Sequence, residues 1–389
     1  MGNNKMLKGF GFSKILAFLK KPKQREKAIA NAPLTEPSDL SPTSIGGKLL
    51  HPKFQQAKLE EIIPYGEKAV LYRFSGDKFA YFRAGQYVNV LLQDGKALMS
   101  RPISIVSSPK QAKQGVLELL IGKNEAGYFA SRAHELLKVG ETYTLSGPSG
   151  SFYYSSLRDE RHVIGCAGGI GITPLLSMAE AIAEGSEDFD LTILYGAKIE
   201  AEAIMKARLD ELVAKTNRVK YRLIIDDKGE KFSAKLIQEV AENKPYSLFV
   251  CGPQGMYVAF DGIAQELQLD GRRYRKEIFG SFKDVSALPS YPGTAKPAYR
   301  LTVHLVDRTY ELEARADEPL LYALEREGIA TPNRCRGGVC GYCRAALLQG
   351  QVFIPESTDG RREEDKKRGY IHLCMAYPLS DIEIEATAP

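Results

Sequence analysis

The chain has 389 residues and 53 lysines and arginines against 48 aspartates and glutamates, a formal net charge of +5. Hydrophobic residues make up 44% and charged residues 26% of the sequence, proportions that exclude a disordered or collagen-like chain. At roughly 150 residues per domain, this length predicts two or three domains. No segment approaches the ~18 consecutive apolar residues of a membrane-spanning helix, so a polytopic membrane protein is also excluded.

The positive charge is concentrated at the N-terminus. Residues 1–27 contain eight basic residues and one acidic residue, a net charge of +7, which leaves the rest of the chain at −2. The slight negative charge of the chain after residue 27 argues against nucleic acid as a partner. Apolar residues at helical spacing predict an amphipathic helix within this segment; they are Phe12, Ile15, Leu16 and Leu19. Docking on a partner protein and packing on its own chain are equally favoured roles, ahead of peripheral contact of residues 1–27 with a membrane, and a disordered solubilising tail is a further alternative.

The next two segments differ in their secondary-structure pattern. Residues 31–47 are rich in proline and serine, so residues 1–50 are expected to hold the basic helix and a linker. Short strand-like segments punctuated by glycine then predict an antiparallel β-barrel over residues 51–157. These segments are Ala69–Phe74, Tyr87–Leu92, Val116–Ile121 and Thr142–Leu145.

From residue 158 to residue 280 the pattern changes to strand, turn and helix. The apolar segments are Val163–Cys166, Leu191–Tyr195, Tyr221–Ile225 and Leu248–Cys251. A helical stretch follows each of them, which predicts βαβ units and a parallel sheet. Residues 281–298 contain three prolines and are expected to form a second linker, and residues 299–389 form a C-terminal module.

Four of the six cysteines lie in this C-terminal module, with the spacing Cys335-x4-Cys340-x2-Cys343 and then Cys374. A zinc site would typically show two closely spaced cysteine pairs. The observed spacing instead matches the ligand pattern of a plant-type [2Fe–2S] cluster. Glycines between these cysteines would let backbone N–H groups turn toward the cluster sulfurs. We therefore predict a [2Fe–2S] cluster on these four cysteines.

A glycine-rich turn at residues 168–174 (GGIGITP) follows a predicted strand and opens a helix. Glycines allow close approach of a pyrophosphate, and the helix N-terminus offers free N–H groups. Its proline distinguishes this turn from the G-x-G-x-x-G fingerprint. Cys251-Gly252-Pro253 ends another predicted strand and would lie at the same edge of the sheet. On its own, Cys251 is better explained as a small buried apolar residue.

Together and in this order, these motifs resemble the ferredoxin–NADP reductase superfamily, and within it the flavin- and nicotinamide-dependent reductases with a C-terminal plant-type ferredoxin module. The resemblance covers about residues 51–389. It implies a multidomain protein with an antiparallel β-barrel flavin domain, an α/β parallel-sheet NAD(P)-binding domain and an α+β ferredoxin-like (β-grasp) domain. The N-terminal amphipathic helix is outside the resemblance.

The resemblance also implies a flavin site in the barrel. The family motif R-x-Y-S corresponds here to Arg101, Pro102, Ile103 and Ser104. Arg101 would pair with the flavin phosphate, the Ser104 hydroxyl would lie near the reactive flavin nitrogen, and Ile103 replaces the usual tyrosine. Gly127 and Ser131 match the motif that opens a short helix over the phosphates. The sequence RPIS is similar to that of electron-transfer subunits of dihydroorotate dehydrogenases, which implies FAD, with FMN as the alternative.

The implied nicotinamide site combines three segments: the turn residues Gly169, Gly171, Thr173 and Pro174, the pair Cys251 and Gly252 beside the nicotinamide ring, and the acidic–aromatic ending with Glu277 and Phe279. Ser104, Cys251 and Glu277 would be the catalytic residues. Mixed charges follow the second and third strands of the predicted parallel sheet, including Lys198, Glu200, Asp226 and Asp227. They favour NADH, with NADPH left open.

These features imply an NAD(P)H-dependent oxidoreductase of the cytoplasm, or of its membrane periphery. It would move electrons from NAD(P)H through a flavin to the [2Fe–2S] cluster and on to a separate terminal oxidoreductase such as an oxygenase. Two alternatives remain open: an electron-transfer subunit of a permanent redox complex, and a non-catalytic redox carrier or sensor. No motif in the sequence identifies the electron acceptor or the oligomeric state.

Overall fold

The computed structural model describes residues 51–123, 128–282 and 284–387, together with the single positions 27 and 47. The N-terminal amphipathic helix expected from the sequence, the linker after it and Gly127 lie outside the described residues. Within the described ranges, no helix is both long enough and apolar enough to cross a membrane.

The first sheet is antiparallel and has six strands, in the spatial order β4-β3-β6-β1-β2-β5. A bridge between Ile105 and Leu119 joins the end of β4 to β5 and closes the sheet into a barrel. Along β1, Gln55, Ala57 and Leu59 are buried and their neighbours are exposed, the alternation expected of a strand with one face on the core. The elements are β1 (Phe54–Tyr65), β2 (Ala69–Ser75), β3 (Tyr87–Asp94), β4 (Ala97–Ser104), α1 (Pro109–Lys113), β5 (Val116–Gly122), α2 (Tyr128–Leu136) and β6 (Thr142–Ser146).

The second sheet is parallel, with the order β11-β10-β7-β8-β9. Its elements are β7 (His162–Gly168), α3 (Thr173–Ala183), β8 (Asp190–Ala197), α4 (Lys206–Lys215), β9 (Val219–Ile225), α5 (Ala234–Ala241), β10 (Tyr246–Cys251), α6 (Gln254–Glu266) and β11 (Tyr274–Glu277). In the strand register, Cys251 lies opposite both Ala167 and Glu277. The carboxyl ends of β7, β10 and β11 therefore meet at one edge, where open α/β sheets bind their ligands.

The third sheet is mixed, with the order β13-β12-β18-β14-β16, in which only β12 and β18 run parallel. A helix, α7, packs on it through Leu320, Leu321 and Leu324. The elements are β12 (Ala298–Leu305), β13 (Arg308–Arg315), α7 (Leu320–Arg326), β14 (Arg344–Gln349), β15 (Val352–Phe353), α8 (Glu363–Lys367), β16 (Tyr370–His372), β17 (Tyr377–Pro378) and β18 (Ile382–Ala386). The predicted fold class, a barrel followed by a parallel α/β sheet and an α+β module, is confirmed.

A buried carboxylate joins the barrel to the parallel-sheet domain. Glu118 on β5 has a side chain that is only 5% exposed. It accepts hydrogen bonds from Arg73 at 2.9 Å and from Arg208 on α4 at 2.6 Å. Arg208 in turn pairs with Glu180 on α3 at 2.6 Å. Because its partners satisfy the charge, this carboxylate can be buried at the interface and hold the two domains in one orientation.

This arrangement predicts that Glu118→Gln destabilises the protein, because Arg208 then keeps only part of its compensating charge in a buried site. We expect a loss of about 3 kcal/mol and a decrease in Tm of roughly 6 °C or more, measured by thermal unfolding followed by circular dichroism. Glu239→Gln, which removes an exposed pair with Arg222, is the control and should change Tm by much less. Equal effects of the two substitutions would contradict the prediction.

Candidate functional site

The RPIS segment forms the second half of β4, where Pro102 lies opposite Asn89 and Ser104 lies opposite Tyr87 on β3. Ser104 is buried. The guanidinium of Arg101 lies 4.4 Å from the ring centre of Tyr322 and 5.5 Å from that of Phe129 on α2, the helix that also carries Ser131. The expected flavin-binding residues on β4 and α2 thus lie where the barrel meets the C-terminal domain.

Arg101 also has a partner that the sequence motifs did not indicate. Its Nη1 donates a hydrogen bond to the Glu325 carboxylate on α7 at 2.9 Å. The side chains of both residues are largely buried, at 15% and 8% exposed. Arg101 therefore contacts the C-terminal domain as well as the barrel.

The glycine-rich turn lies against the end of β10. Residues Gly169–Ile172 form a 3₁₀ turn, Thr173 begins α3, and Pro174 lies in its first turn. A Cβ atom added to Gly171 would collide with the carbonyl oxygen of Cys251. Glycine is required here so that the turn and the Cys251–Gly252 segment form one continuous edge, as the sequence predicted.

Tyr257 on α6 ties two parts of this edge together. Its hydroxyl accepts a hydrogen bond from the backbone N–H of Gly252 at 3.1 Å and donates one to the backbone carbonyl of Glu277. The tyrosine is buried, and it holds β10 and β11 in register beyond their last ladder hydrogen bond. Sequence reasoning missed it, because its only signal is an aromatic residue one helical turn after Pro253.

Two titratable side chains are buried at this edge. Burial raises the pKa of the Cys251 thiol and the pKa of the Glu277 carboxyl well above their usual values, because both charged forms would lose their hydration. The Oε2 atom of Glu277 has no hydrogen-bond partner among the described residues. A buried, unpartnered carboxyl oxygen at the ligand-binding edge of a parallel sheet fits a site that receives a polar ligand such as a nicotinamide or flavin ring.

The four predicted cluster cysteines are arranged as two pairs. The thiols of Cys335 and Cys340 lie close enough to shift each other's pKa, as do those of Cys343 and Cys374, and the backbone N–H of Gly337 donates to the Cys335 sulfur at 3.4 Å. Among the residues described, no group of three or more histidines, cysteines and acids could hold a single metal ion. A [2Fe–2S] cluster needs two thiolates on each of two irons, which this arrangement in pairs fits.

Arg336 belongs to the loop between the cysteines, and the structure gives its side chain contacts that the cysteine spacing did not indicate. Its side chain is fully buried, its backbone is left-handed with φ of 53°, and its Nη2 donates to Glu325. Its Nε and Nη1 atoms have no partner within the described ranges. Unpartnered cationic donors next to Cys335 suit a negatively charged group such as a thiolate-bound cluster.

The three expected cofactor sites meet around Tyr87 on β3. Its ring packs edge-on to Phe279 with ring centres 5.1 Å apart. A Cβ atom added to Gly150 would lie 2.9 Å from the Tyr87 ring and 3.6 Å from Oε2 of Glu277, so both side chains border the same glycine. Burial raises the pKa of Tyr87, and the neighbouring Cys335, Glu277 and Cys340 raise it further. Tyr87 also lies opposite Ser104 in the barrel ladder, which places it beside the flavin strand.

The cysteine loop itself packs on the other two domains. The side-chain amide of Asn89 on β3 donates to the backbone carbonyl of Arg334 at 3.1 Å. A Cβ atom on Gly337 would lie 2.5 Å from the carbonyl oxygen of Ile278, so this glycine is needed for the loop to approach the end of the parallel-sheet domain. The cysteine loop therefore contacts both β3 of the barrel and the end of the parallel-sheet domain.

Comparisons with known proteins match this arrangement. An oxidoreductase FAD-binding domain matches residues 56–154, an oxidoreductase NAD-binding domain matches residues 166–261, and a 2Fe-2S iron-sulfur cluster binding domain matches residues 303–379. The glycine betaine monooxygenase reductase subunit of Chromohalobacter salexigens is 26% identical over 326 residues, which cover 78% of this chain and 87% of the relative. The heme-dependent oxidative N-demethylase beta subunit of Ectopseudomonas mendocina is 29% identical, covering 70% and 79% respectively.

A solved structure gives the same result for the fold. Phthalate dioxygenase reductase superposes with a TM-score of 0.64 at 22% sequence identity, over 86% of this chain and 98% of that protein. At this identity the likeness shows a shared fold, including the order of the barrel, the parallel sheet and the cysteine-bearing module.

The raised pKa of Glu277 predicts a pH-dependent effect on stability. The folded protein keeps this proton above the usual value of 4.5, whereas the unfolded chain loses it, so the carboxyl lowers stability increasingly as the pH rises. Glu277→Gln has no titrating group at this position, so it removes this loss of stability. We therefore expect the Tm of the variant to rise relative to the Tm of the wild type as the pH increases from about 5 to about 8.

The measurement is thermal unfolding of both proteins across that pH range, with the exposed Glu266→Gln as the control. Parallel pH profiles for wild type and Glu277→Gln would show that Glu277 does not retain its proton in the folded state.

Proposed function

The chain belongs to the ferredoxin–NADP reductase superfamily, in the group with a C-terminal [2Fe–2S] domain, and we propose that it is the reductase component of an oxygenase system. It is an NAD(P)H-dependent oxidoreductase that uses FAD, NADH and a [2Fe–2S] cluster. The observation that carries the proposal is the meeting of the barrel strand β3, the nicotinamide edge and the cysteine loop, through the contacts of Tyr87 with Phe279, of Asn89 with Arg334 and of Gly337 with Ile278. An oxygenase as acceptor is supported by relatives named as subunits of a monooxygenase and of an oxidative demethylase.

When bound, a flavin takes two electrons from a nicotinamide as a hydride and releases them singly to a [2Fe–2S] cluster, which takes one at a time. In our proposal the chain contributes placement and electrostatics. The backbone N–H groups of the turn with Gly169, Gly171, Thr173 and Pro174 bind the nicotinamide pyrophosphate at the start of α3. These groups need no charged side chain for this task, since the helix N-terminus already favours an anion.

At the nicotinamide ring, Cys251 and Gly252 provide one wall, and Tyr257 fixes their backbone. Burial raises the pKa of the Glu277 carboxyl, whose Oε2 atom has no partner among the described residues, so this group favours holding a proton beside the ring. The buried surroundings of Cys251 and Glu277 also exclude water from the reacting atoms. Phe279, packed on Tyr87, provides an aromatic wall between this edge and the barrel.

At the flavin, we propose that Arg101 and Ser131, with Gly127, bind the phosphate, and that the buried Ser104 hydroxyl faces the reactive nitrogen. Pro102 and Ile103 complete the β4 segment that borders the ring. Cys335, Cys340, Cys343 and Cys374 would hold the cluster through their thiolates.

We propose that the acceptor docks where the cluster loop reaches the surface. Cys340 is exposed, unlike the other three cysteines of the loop. Val339 and Tyr342 beside it are 53% and 44% exposed, and the Arg334 guanidinium stacks 3.8 Å from the Tyr342 ring centre. An apolar patch with a cationic rim suits an acceptor that presents carboxylates around the place where electrons enter it.

All six cysteines lack disulfide bonds, which supports a reducing compartment such as the cytoplasm.

The test of the proposed function is anaerobic titration of the flavin-loaded, cluster-loaded full chain with NADH. We expect NADH to bleach the flavin and then to produce the electron paramagnetic resonance signal of a reduced [2Fe–2S] cluster, followed by turnover with a one-electron acceptor. A flavin that NADH does not bleach would exclude a reductase and favour a redox carrier or sensor.

We predict that Cys340→Ser abolishes electron delivery through the cluster and leaves hydride transfer to the flavin largely intact, because only the cluster depends on this thiolate. The measurements are cytochrome c reduction for the first activity and single-turnover bleaching of the flavin for the second. Leu348→Ser, an exposed substitution on β14, is the control and should leave both activities unchanged. Equal loss of both activities in a folded, flavin-loaded Cys340→Ser protein would contradict this separation.

A second prediction concerns the choice between NADH and NADPH. After β9, Asp226 and Asp227 are exposed, and the backbone N–H of Asp227 bonds the carbonyl of Lys198 after β8. Nearby Lys206 pairs with Asp210 at 3.0 Å. Carboxylates at this edge suit a ribose 2′-hydroxyl and repel a 2′-phosphate.

We therefore expect kcat/KM for NADH to exceed that for NADPH by at least about tenfold, measured with a common electron acceptor. Replacing both aspartates, as Asp226→Asn with Asp227→Asn, should reduce this preference. A wild-type protein with equal kcat/KM values for the two nucleotides would overturn the prediction.

A further inference from the structure

One carboxylate is bonded to both the flavin strand and the cluster loop. Glu325 lies in the last turn of α7, and its side chain is 8% exposed. Its Oε1 accepts a hydrogen bond from the backbone N–H of Ser100 at 2.9 Å, and its Oε2 accepts one from Arg101 at 2.9 Å, both on β4. Arg336 in the cluster loop donates to Oε1 as well. This single side chain therefore links three segments of two domains.

An aromatic ring reinforces the same arrangement. Tyr322, one turn before Glu325 on α7, lies 4.4 Å from the guanidinium of Arg101 and 5.5 Å from that of Arg336, measured to the ring centre. Both arginines thus contact the same carboxylate, that of Glu325, and the same aromatic ring, that of Tyr322. The planar guanidinium is suited to this double contact, whereas a lysine ammonium would not reproduce it.

The charges at this position make the carboxylate indispensable to the packing. The Arg101 and Arg336 side chains are 15% and 0% exposed, so Glu325 lies between two largely buried guanidiniums. Removing one partner of a buried ion pair is strongly destabilising, because the remaining charge is left uncompensated. Here the loss of Glu325 would take the carboxylate partner from the fully buried Arg336 in the cluster loop.

A second ion pair crosses the same boundary and provides a natural comparison. Lys96, just before β4, pairs with Glu327, just after α7, at 2.6 Å. Their side chains are 69% and 34% exposed, so solvent screens the pair and it contributes little. The two pairs differ in burial and in their link to the cluster loop, since only Glu325 contacts a neighbour of Cys335.

We infer that Glu325 is a positioning residue that fixes the cluster loop against the flavin strand and so sets the rate of electron transfer from flavin to cluster. The inference rests on the proposed function and adds to it a residue that belongs to neither cofactor motif. Electron transfer falls steeply with separation, so a small displacement of the loop slows this step. The earlier step, reduction of the flavin by NADH, takes place at the nicotinamide edge, and the hydrogen bonds of Glu325 go instead to Ser100, Arg101 and Arg336.

The test compares Glu325→Gln with wild type in the full chain, loaded with flavin and cluster, by anaerobic stopped-flow mixing with NADH. The glutamine is isosteric and can still accept from Ser100, but it lacks the charge. We expect flavin reduction to stay within about twofold of wild type and electron arrival at the cluster to slow by at least about tenfold. The absorption and paramagnetic resonance spectra of the cluster, which report its ligands, should be unchanged.

Glu327→Gln is the matched control and should leave both steps at the wild-type rate. If Glu325→Gln does not fold with its cofactors, Glu325→Asp keeps the charge on a shorter side chain, and it should slow the second step selectively. A flavin-to-cluster rate equal to that of Glu327→Gln would overturn the inference, and so would equal slowing of both steps. These outcomes differ from failure of the proposed function, in which NADH would not reduce the flavin of the wild-type protein.

Discussion

Electron flow through separately folded domains requires that their cofactor sites meet, and in this protein the packing around Tyr87 meets that requirement. The ring is buried between the barrel ladder, the aromatic ending of the parallel-sheet domain and the cysteine loop. Each neighbour depends on its own local geometry: the Gly171 turn closes on β10, and Gly337 allows the cysteine loop to approach Ile278. A change in any of these contacts would separate sites that must exchange electrons directly.

Both domain boundaries use the same electrostatic arrangement, a buried glutamate between two arginines. Glu118 joins Arg73 and Arg208 where the barrel meets the parallel sheet, and Glu325 joins Arg101 and Arg336 where the barrel meets the C-terminal domain. Apolar contacts alone tolerate sliding, whereas charge-assisted hydrogen bonds have one favourable geometry. The domains are thus fixed in orientation at boundaries that are partly polar.

Much of the architecture could be predicted from the sequence, because each motif is local. Strand patterns located β2, β3, β5 and β6 in the barrel, and the cysteine spacing indicated the third module. The strand β4 was not predicted as such, because its sequence ALMSRPIS lacks clear alternation and contains Pro102, which cannot donate a ladder hydrogen bond. β1 was missed as well, since its buried face consists partly of the polar Gln55.

The residues that join the sites were beyond sequence reasoning for a different reason. Tyr87, Tyr257, Glu325 and Arg336 act through contacts between segments far apart in the chain, such as Ser100 with Glu325. Residue spacing within a motif carries no information on such contacts. The motifs therefore predicted which groups would hold cofactors, but the structure was needed to find the groups that hold the sites against each other.

The exposure of Cys340 has a consequence for the lifetime of the protein. Five of the six cysteines are buried, and the sixth lies at the surface in a loop with apolar neighbours. An opening that lets electrons leave for a protein acceptor also lets dioxygen and small oxidants reach the same sulfur, since oxidation follows thiolate character and accessibility. A bound acceptor would then cover Cys340 and protect it from oxidants. Without an acceptor, oxidative damage to the cluster should begin at Cys340.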